Sequence, residues 1–506
     1  MKIKRKRRRR NAVSFLAFMP TMSVIPVMLI MWIILVMTAC GFGKGNGGNR
    51  DGNGQDRPGG QQAEGQQYGG QKAEGQQYGE QQAGESGSTP EDDRTPLVIG
   101  VFDDGRDLAD AISLFQQRNG AYRIEIKKYE RSYLGEEDGL SRLQREIMTG
   151  EGPDIIDFGA GYATSDIVGG YTEDLLPWLE GENEKIEEKY FGNILKAFCY
   201  RDKLYALPVR FRLQTFAGSS REVGYRTHWN IEEMISCYEE RKGDMILYPG
   251  QTKRDVFGTI LTGSMDYFID WEEGSCRFDG EEFCRILEFA NSFPEGLEIT
   301  EDDSVKQIFQ EGGALLLPLR LSGIYDICRP GFIFGEEKIS YIGFPMEGKC
   351  GTVIDAAGPV LAISINSRNK EAAWEFISLF LEEGYQREQT SGFPLCRSVL
   401  EERLAQAREI VYEKDSEGRQ TPVARDSVVF EGEDPVPIYC VTEEQAQTLT
   451  ALIEEASMCT ANDRQLYSLL LEEAQGYFSG EKSLEDTVRV MQSVASIYVG
   501  ERVKRE

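Results

Sequence analysis

The chain has 506 residues, with 84 Asp+Glu against 56 Lys+Arg, a single histidine and a formal charge of −28. One imidazole excludes most zinc sites and most Ser-His or Cys-His mechanisms, and a body this acidic repels phosphate backbones, so no nucleic-acid partner is expected. At 40% hydrophobic residues the chain can bury a large core, enough for two or three domain-sized units or one bilobed body with appendages.

Residues 1–39 carry the opposite charge. Lys2, Lys4, Arg5, Lys6 and Arg7 to Arg10 form a cationic stretch, and the apolar run from Val27 to Met37 follows Pro20 and Pro26. Eleven apolar residues are short for a bilayer span and suit the core of a signal peptide. The run ends in Met37-Thr38-Ala39-Cys40, which resembles a bacterial lipoprotein lipobox with Met37 in place of the usual Leu. The resemblance implies lipidation at Cys40 after cleavage of a signal peptide spanning 1–39. An uncleaved signal anchor using residues 11–39 is the alternative. Either reading keeps the positive cluster inside and places the body on the outer face of the cytoplasmic membrane.

Residues 40–95 are rich in Gly and Gln, with a near-repeat ending at Tyr68 and Tyr78. Such composition cannot offset the entropy of ordering, so the segment reads as a disordered tether with an end-to-end distance of about 40 Å. The Gly-x-Gly-x-x-Gly match at Gly43 to Gly48 has no strand before it and no helix after it, and is compositional.

From Thr95 the pattern changes. Leu97 to Phe102 reads as a buried strand, Asp107 to Gln117 as a helix stopped by Asn119-Gly120, and Tyr122, Ile124 and Ile126 as a second strand. A helix bearing Leu140, Leu143 and Ile147 ends at Gly150, and Asp154 to Phe158 is a third strand. This βαβαβ series predicts a parallel sheet whose carboxyl rim is the place for a ligand. Asp103, Asp104 and the Gly159 to Tyr162 loop fall on that rim.

Six segments then follow in a recognisable order. They are Gly150 to Gly159, Leu204 to Val209, Phe309 to Leu317, Ile342 to Pro345, Ile363 to Ser367 ahead of a helix Glu371 to Glu383, and Ser391 to Pro394. Together they resemble the extracellular solute-binding proteins of ABC importers, family 1, over about residues 96–500. The resemblance implies an α/β, bilobed periplasmic-binding-protein type II fold, two α/β lobes joined by a multi-crossing hinge, with a helical C-terminal cap. Crossings are expected near 205–210, 308–314 and 365–370, giving lobe 1 as 96–207 plus 312–366 and lobe 2 as 208–311 plus 367–506.

On that architecture a small polar solute, with carbohydrate the expected class, closes two lobes, and the closed form meets ABC permease subunits. No bond is broken, no cofactor or metal is needed, and a membrane-tethered monomer suffices. The candidate ligand contacts are Asp103, Asp104, Phe158, Tyr162, Arg210, Phe211 and Arg320. Bland duties compete: Asp103 and Asp104 suit a helix cap, Arg210 and Arg212 suit interlobe ion pairs, and Phe211 suits hinge core. Trp178, Trp229, Trp271 and Trp374 suggest sugar-stacking plates, but Trp374 sits on an amphipathic helix and Trp271 in a hairpin-like stretch.

Two other classes stay open. A secreted glycoside-acting enzyme would use paired carboxylates such as Asp154/Asp157 or Glu272/Glu273, although Asp154 and Asp157 bracket a strand and point to opposite faces. A surface sensory or adhesion protein would share fold and tether. Nine cysteines beyond Cys40 form no Cys-x-x-Cys motif, so mostly free, partly buried thiols are expected.

Overall fold

The computed structural model of the chain describes residues 92–129, 138–159, 170–181, 186–296, 304–415, 417–430, 433–459 and 463–504. The signal peptide, Cys40, nearly all of the tether and Tyr162 lie outside the described residues. Its first strands in chain order are β1 (Thr95–Val101), β2 (Tyr122–Lys128), β3 (Ile155–Asp157), β4 (Leu207–Pro208), β5 (Arg210–Ser219), β6 (Ile269–Asp270) and β7 (Ser275–Cys276). They continue with β8 (Leu317–Leu321), β9 (Ile339–Tyr341), β10 (Val353–Ala356), β11 (Val360–Ile363) and β12 (Phe393–Pro394).

Leu97, Ile99 and Val101 alternate along β1 and are fully buried, which fixes one face of the strand against the core. β1 pairs in parallel with β2 on one side and β3 on the other, as the βαβαβ pattern predicts. The order β2-β1-β3-β11-β4 is completed by two antiparallel additions from later in the chain. Helices Ala109–Arg118 and Lys370–Ser378 pack on this sheet, Phe115 meeting Phe376 edge-on at 5.6 Å between centroids.

The second sheet is organised by β5. Its ten residues pair antiparallel with β12, β10, β8 and β9 in turn, and the short strand Met458–Cys459 extends the sheet beside β10. Phe211, Leu213 and Ala217 join the core of the first sheet. Phe216, on the other face, joins a second core built from helices Ile231–Glu239, Lys253–Ser264, Glu281–Asn291, Arg464–Phe478 and Leu484–Lys504. Ala474 and Phe478 are buried there. A buried pair, Arg502 with Asp463, fastens the last helix, and the Tyr498 hydroxyl donates to the same carboxylate at 3.0 Å.

Within the segment 312–366, expected in lobe 1, β8, β9 and β10 pair with β5 and β11 joins the first sheet, while Leu317, Leu319, Leu321, Ile354 and Ala356 share the core of the first sheet. The helix Lys370–Ser378, expected in lobe 2, packs on the first sheet. The chain passes between the sheets at Val209, at Ala357 to Pro359, and between β11 and β12. Motif order alone cannot fix these points, because each depends on which strand β5 accepts as a neighbour. Residues Arg94–Glu506 nonetheless make one compact unit. All nine cysteines from Cys199 to Cys459 are free thiols.

The second crossing depends on Gly358, whose φ of +95° is a left-handed conformation, and a Cβ there would run into the Arg210 guanidinium. Gly358→Ala should therefore destabilise the protein by roughly 1 to 3 kcal/mol. A denaturation midpoint equal to that of the parent chain would contradict this account.

Candidate functional site

Side chains alternate across a strand, so the sequence Arg210-Phe-Arg-Leu-Gln214 on β5 divides into an apolar face and a polar one. Arg210, Arg212 and Gln214 are half-buried, whereas Phe211 and Leu213 are fully buried. Register extends the polar face sideways, because Asp355 lies directly opposite Arg212 and Arg320 opposite Gln214. Arg212 Nε donates to Asp355 Oδ2 at 2.9 Å, and Arg320 Nη2 lies 3.7 Å from the same oxygen. Burial, then the neighbouring Arg212 charge, push the Arg320 guanidinium down to about 10, against the pull of Asp355 and Asp326.

Arg210 occupies the joint between the sheets. Its Nη1 donates to the Ser391 carbonyl at 3.1 Å and its Nη2 lies 3.8 Å from Asp107 Oδ2, at the rim of the first sheet. Its buried Nε makes no hydrogen bond among the described residues, and burial lowers its pKa. A small cavity opens here, lined among others by Asp107, Arg210, Pro359, Tyr385 and Gln389. The expected interlobe ion pair is thus found for Arg210, while Arg212 pairs within its own sheet.

On the rim, Asp103 Oδ1 accepts from the Gly105 N–H at 2.7 Å, and Asp104 Oδ1 accepts from the Arg106 N–H at 3.2 Å. Asp104 also pairs with the Arg106 side chain, and these Arg106 contacts, the backbone bond first, hold its carboxyl below the usual range. Both aspartates close the loop locally; Gly105, not either of them, occupies the helix N-cap. Asp103 and Asp104 are nevertheless exposed.

The aromatic candidates end elsewhere. Phe158 is 3% exposed and stacks on Phe102 at 5.9 Å, and Phe211 is fully buried against Phe191 and Phe393. Neither ring offers a face to a solute, because each is needed where a strand end meets packed helices or strands. Trp229 is buried and donates to the Gly343 carbonyl at 3.0 Å, and Trp271 lies under the Arg502 guanidinium. Trp178 and Trp374 sit 5.9 Å apart in a groove of about 260 Å³ that shares no lining residue with the polar face.

Sequence reasoning missed Gln214 and Asp355 and gave Arg212 only an ion-pair duty. Period-two alternation from 210 to 214 was sufficient to find the first and last of that strand set; Asp355 depends on register across 143 positions of chain and left no local signal. Asp157 was read only as half of a carboxylate pair. Its Oδ1 accepts from the Gly159 and Val360 N–H groups at 2.8 and 3.0 Å, tying the rim loop to the first residue after the second crossing. Asp154 does separate work, accepting from Val98, Ser367 and Asn369. Burial raises Asp157 to about 7, reinforced by Asp103 and Asp107 and opposed by its two backbone bonds. Among the described residues no group of three or more His, Cys, Asp or Glu is arranged to hold a metal, and no helix is long and apolar enough to cross a membrane.

No protein-family model matches the sequence, and no curated protein matches it. Solved structures do match in fold. A periplasmic oligogalacturonide binding protein from Yersinia enterocolitica matches with a TM-score of 0.51 at 14% identity, over 81% of this chain and 100% of that one. A de novo designed cysteine esterase matches at 0.50 and 15%, over 81% and 99%. An extracellular solute-binding protein of family 1 from Alicyclobacillus acidocaldarius matches at 0.47 and 12%, over 82% and 100%. The chain has the mixed α/β fold of MalE-like periplasmic binding proteins.

Asp157 generates a pH prediction. Its folded pKa lies above the value of a free carboxyl, so the native state holds this proton more tightly than the unfolded chain between about pH 4 and pH 7. Its contribution to stability is therefore fully present below that window and is lost as pH rises through it, by no more than about 4 kcal/mol. Asp157→Asn should flatten this part of the pH–stability curve relative to the parent; two parallel curves from pH 4 to 8 would refute the assignment.

Proposed function

We propose that the chain is the extracytoplasmic substrate-binding lipoprotein of an ABC importer, which captures a small polar solute and delivers it to membrane permease subunits. The observation that carries this reading is the half-buried polar face of Arg210, Arg212, Gln214, Arg320 and Asp355, set beside the joint where the chain passes three times between two sheets. A site at such a joint gains contacts from both sides when the sheets close, which is how a ligand drives a hinge. The fold is shared with an oligogalacturonide binding protein, and this supports a carbohydrate as the solute class. Asp103 and Asp104, exposed on the rim, would contribute from the first sheet, and Tyr162 is a further proposed contact. Lipidation at Cys40, with residues 41–95 as a spacer, would hold the body at the outer face of the membrane, where two acyl chains give stable attachment.

The designed esterase on the same fold shows that the scaffold tolerates chemistry, but Asp154 and Asp157 here are committed to backbone and side-chain partners within the first sheet. Binding without turnover is the expected behaviour. In a thermal-shift screen of the full chain in detergent against mono- and oligosaccharides, a ligand at one hundred times its Kd adds about 2.7 kcal/mol of stability and is recovered intact. Recovery of a cleaved product would transfer the protein to the enzymes.

A further inference from the structure

We propose that the groove between Trp178 and Trp374 is a second carbohydrate site, which takes adjoining rings of a neutral oligosaccharide and works independently of the polar face. The inference goes beyond the proposed function, because the groove shares no lining residue with that face and stands whatever solute the face receives. Trp374 lies on the helix Lys370–Ser378 and Trp178 on the short helix Leu176–Glu180. Their ring centroids are 5.9 Å apart with the planes inclined at 38°, so the pair forms a bent aromatic platform. Both tryptophans stay half-buried, although Leu179, Ala373 and Ile377 on the same two helices are buried. Their indole N–H groups also set them apart. Trp229 donates to the Gly343 carbonyl at 3.0 Å and Trp271 to Asp266 Oδ1 at 3.4 Å, as rings with a packing duty do. Among the described residues neither Trp178 nor Trp374 donates its N–H to a protein acceptor, which leaves both donors for a ligand.

Size and polarity select that ligand. The groove holds about 260 Å³, and a hollow of about 370 Å³ beside it is lined by the same two indoles and by Pro177, dimensions in keeping with a small-molecule site. The C–H-rich face of a pyranose ring gains by leaving water against an indole, while the hydroxyls around its edge need donors and acceptors. Lys189, Ser378 and Glu382 line the groove and supply them. Ser378 Oγ donates to the Glu375 carbonyl at 3.0 Å and keeps its lone pairs for an incoming hydroxyl. The Glu382 carboxylate accepts from Arg118 Nη2 at 3.0 Å, which holds it in place at the rim. Lys189 and Glu382 are of opposite sign, so the lining favours neither an anion nor a cation, and an uncharged glycan is the complementary class.

The test treats the full chain in detergent with a limiting amount of N-bromosuccinimide, alone or with maltohexaose, cellohexaose or hexagalacturonate, and maps the oxidised indoles by mass spectrometry. Trp178 and Trp374 should be oxidised in the free protein while Trp229 is spared, and a neutral hexasaccharide should protect both. Its affinity should not change with salt, because no charge is brought together. By titration calorimetry, Trp374→Ala should weaken binding of that hexasaccharide to the groove by about tenfold or more. Trp374→Phe, which keeps an aromatic face, should restore most of the loss, an outcome that a purely structural role would not link to ligand affinity. If Trp374→Ala fails to fold, protection in the parent chain decides. Oxidation of both indoles at the free-protein rate while a saccharide is bound would overturn this inference and leave the proposed function standing. Protection by hexagalacturonate alone would overturn the neutral class and the inference with it. Failure of all three oligosaccharides to protect either indole would overturn it as well.

Discussion

The structure depends on one joint, where three passages of the chain between two sheets lie against each other. The Val209 N–H donates to the Pro359 carbonyl and the Ala357 N–H to the Arg210 carbonyl, which binds the first crossing to the second. Arg210 then reaches the third through the Ser391 carbonyl, and Asp107 on the rim of the first sheet. Gly358 and Gly392, at the later passages, both hold positive φ, a conformation that glycine adopts without strain. Because one arginine touches all of these elements, whatever perturbs Arg210 is felt by both sheets.

The same joint explains how charge is distributed around the candidate site. The first sheet contributes acids to its rim, Asp103, Asp104, Asp107 and the buried Asp157, while the second sheet contributes arginines. Asp157 experiences Asp103 and Asp107 as like charges and is held in place by the Gly159 and Val360 N–H groups.

Aromatic residues behave differently from the expectation placed on them. Rings at strand ends and near a hinge are as well explained by packing as by stacking on a ligand, and Phe158 and Phe211 are buried for the first reason. Large apolar side chains contribute most when removed from water, so a position that can bury a phenyl ring fully does so unless a partner keeps it open. Among the described residues the polar face, not an aromatic plate, distinguishes the neighbourhood of the joint.

Local pattern by itself determined a good deal. The period-two runs at 97–101 and 122–126 and the helical spacing between them specified a parallel βαβ start, and the ordered motifs specified the fold family, because each signal is written within a few consecutive residues. What tertiary structure alone decided was the company β5 keeps: whether 317–356 joined the first sheet or the second, and hence that Asp355 stands opposite Arg212 and Arg320 opposite Gln214. Strand register is settled by which buried faces fit together over long separations in the chain, and no stretch of neighbouring residues contains that information.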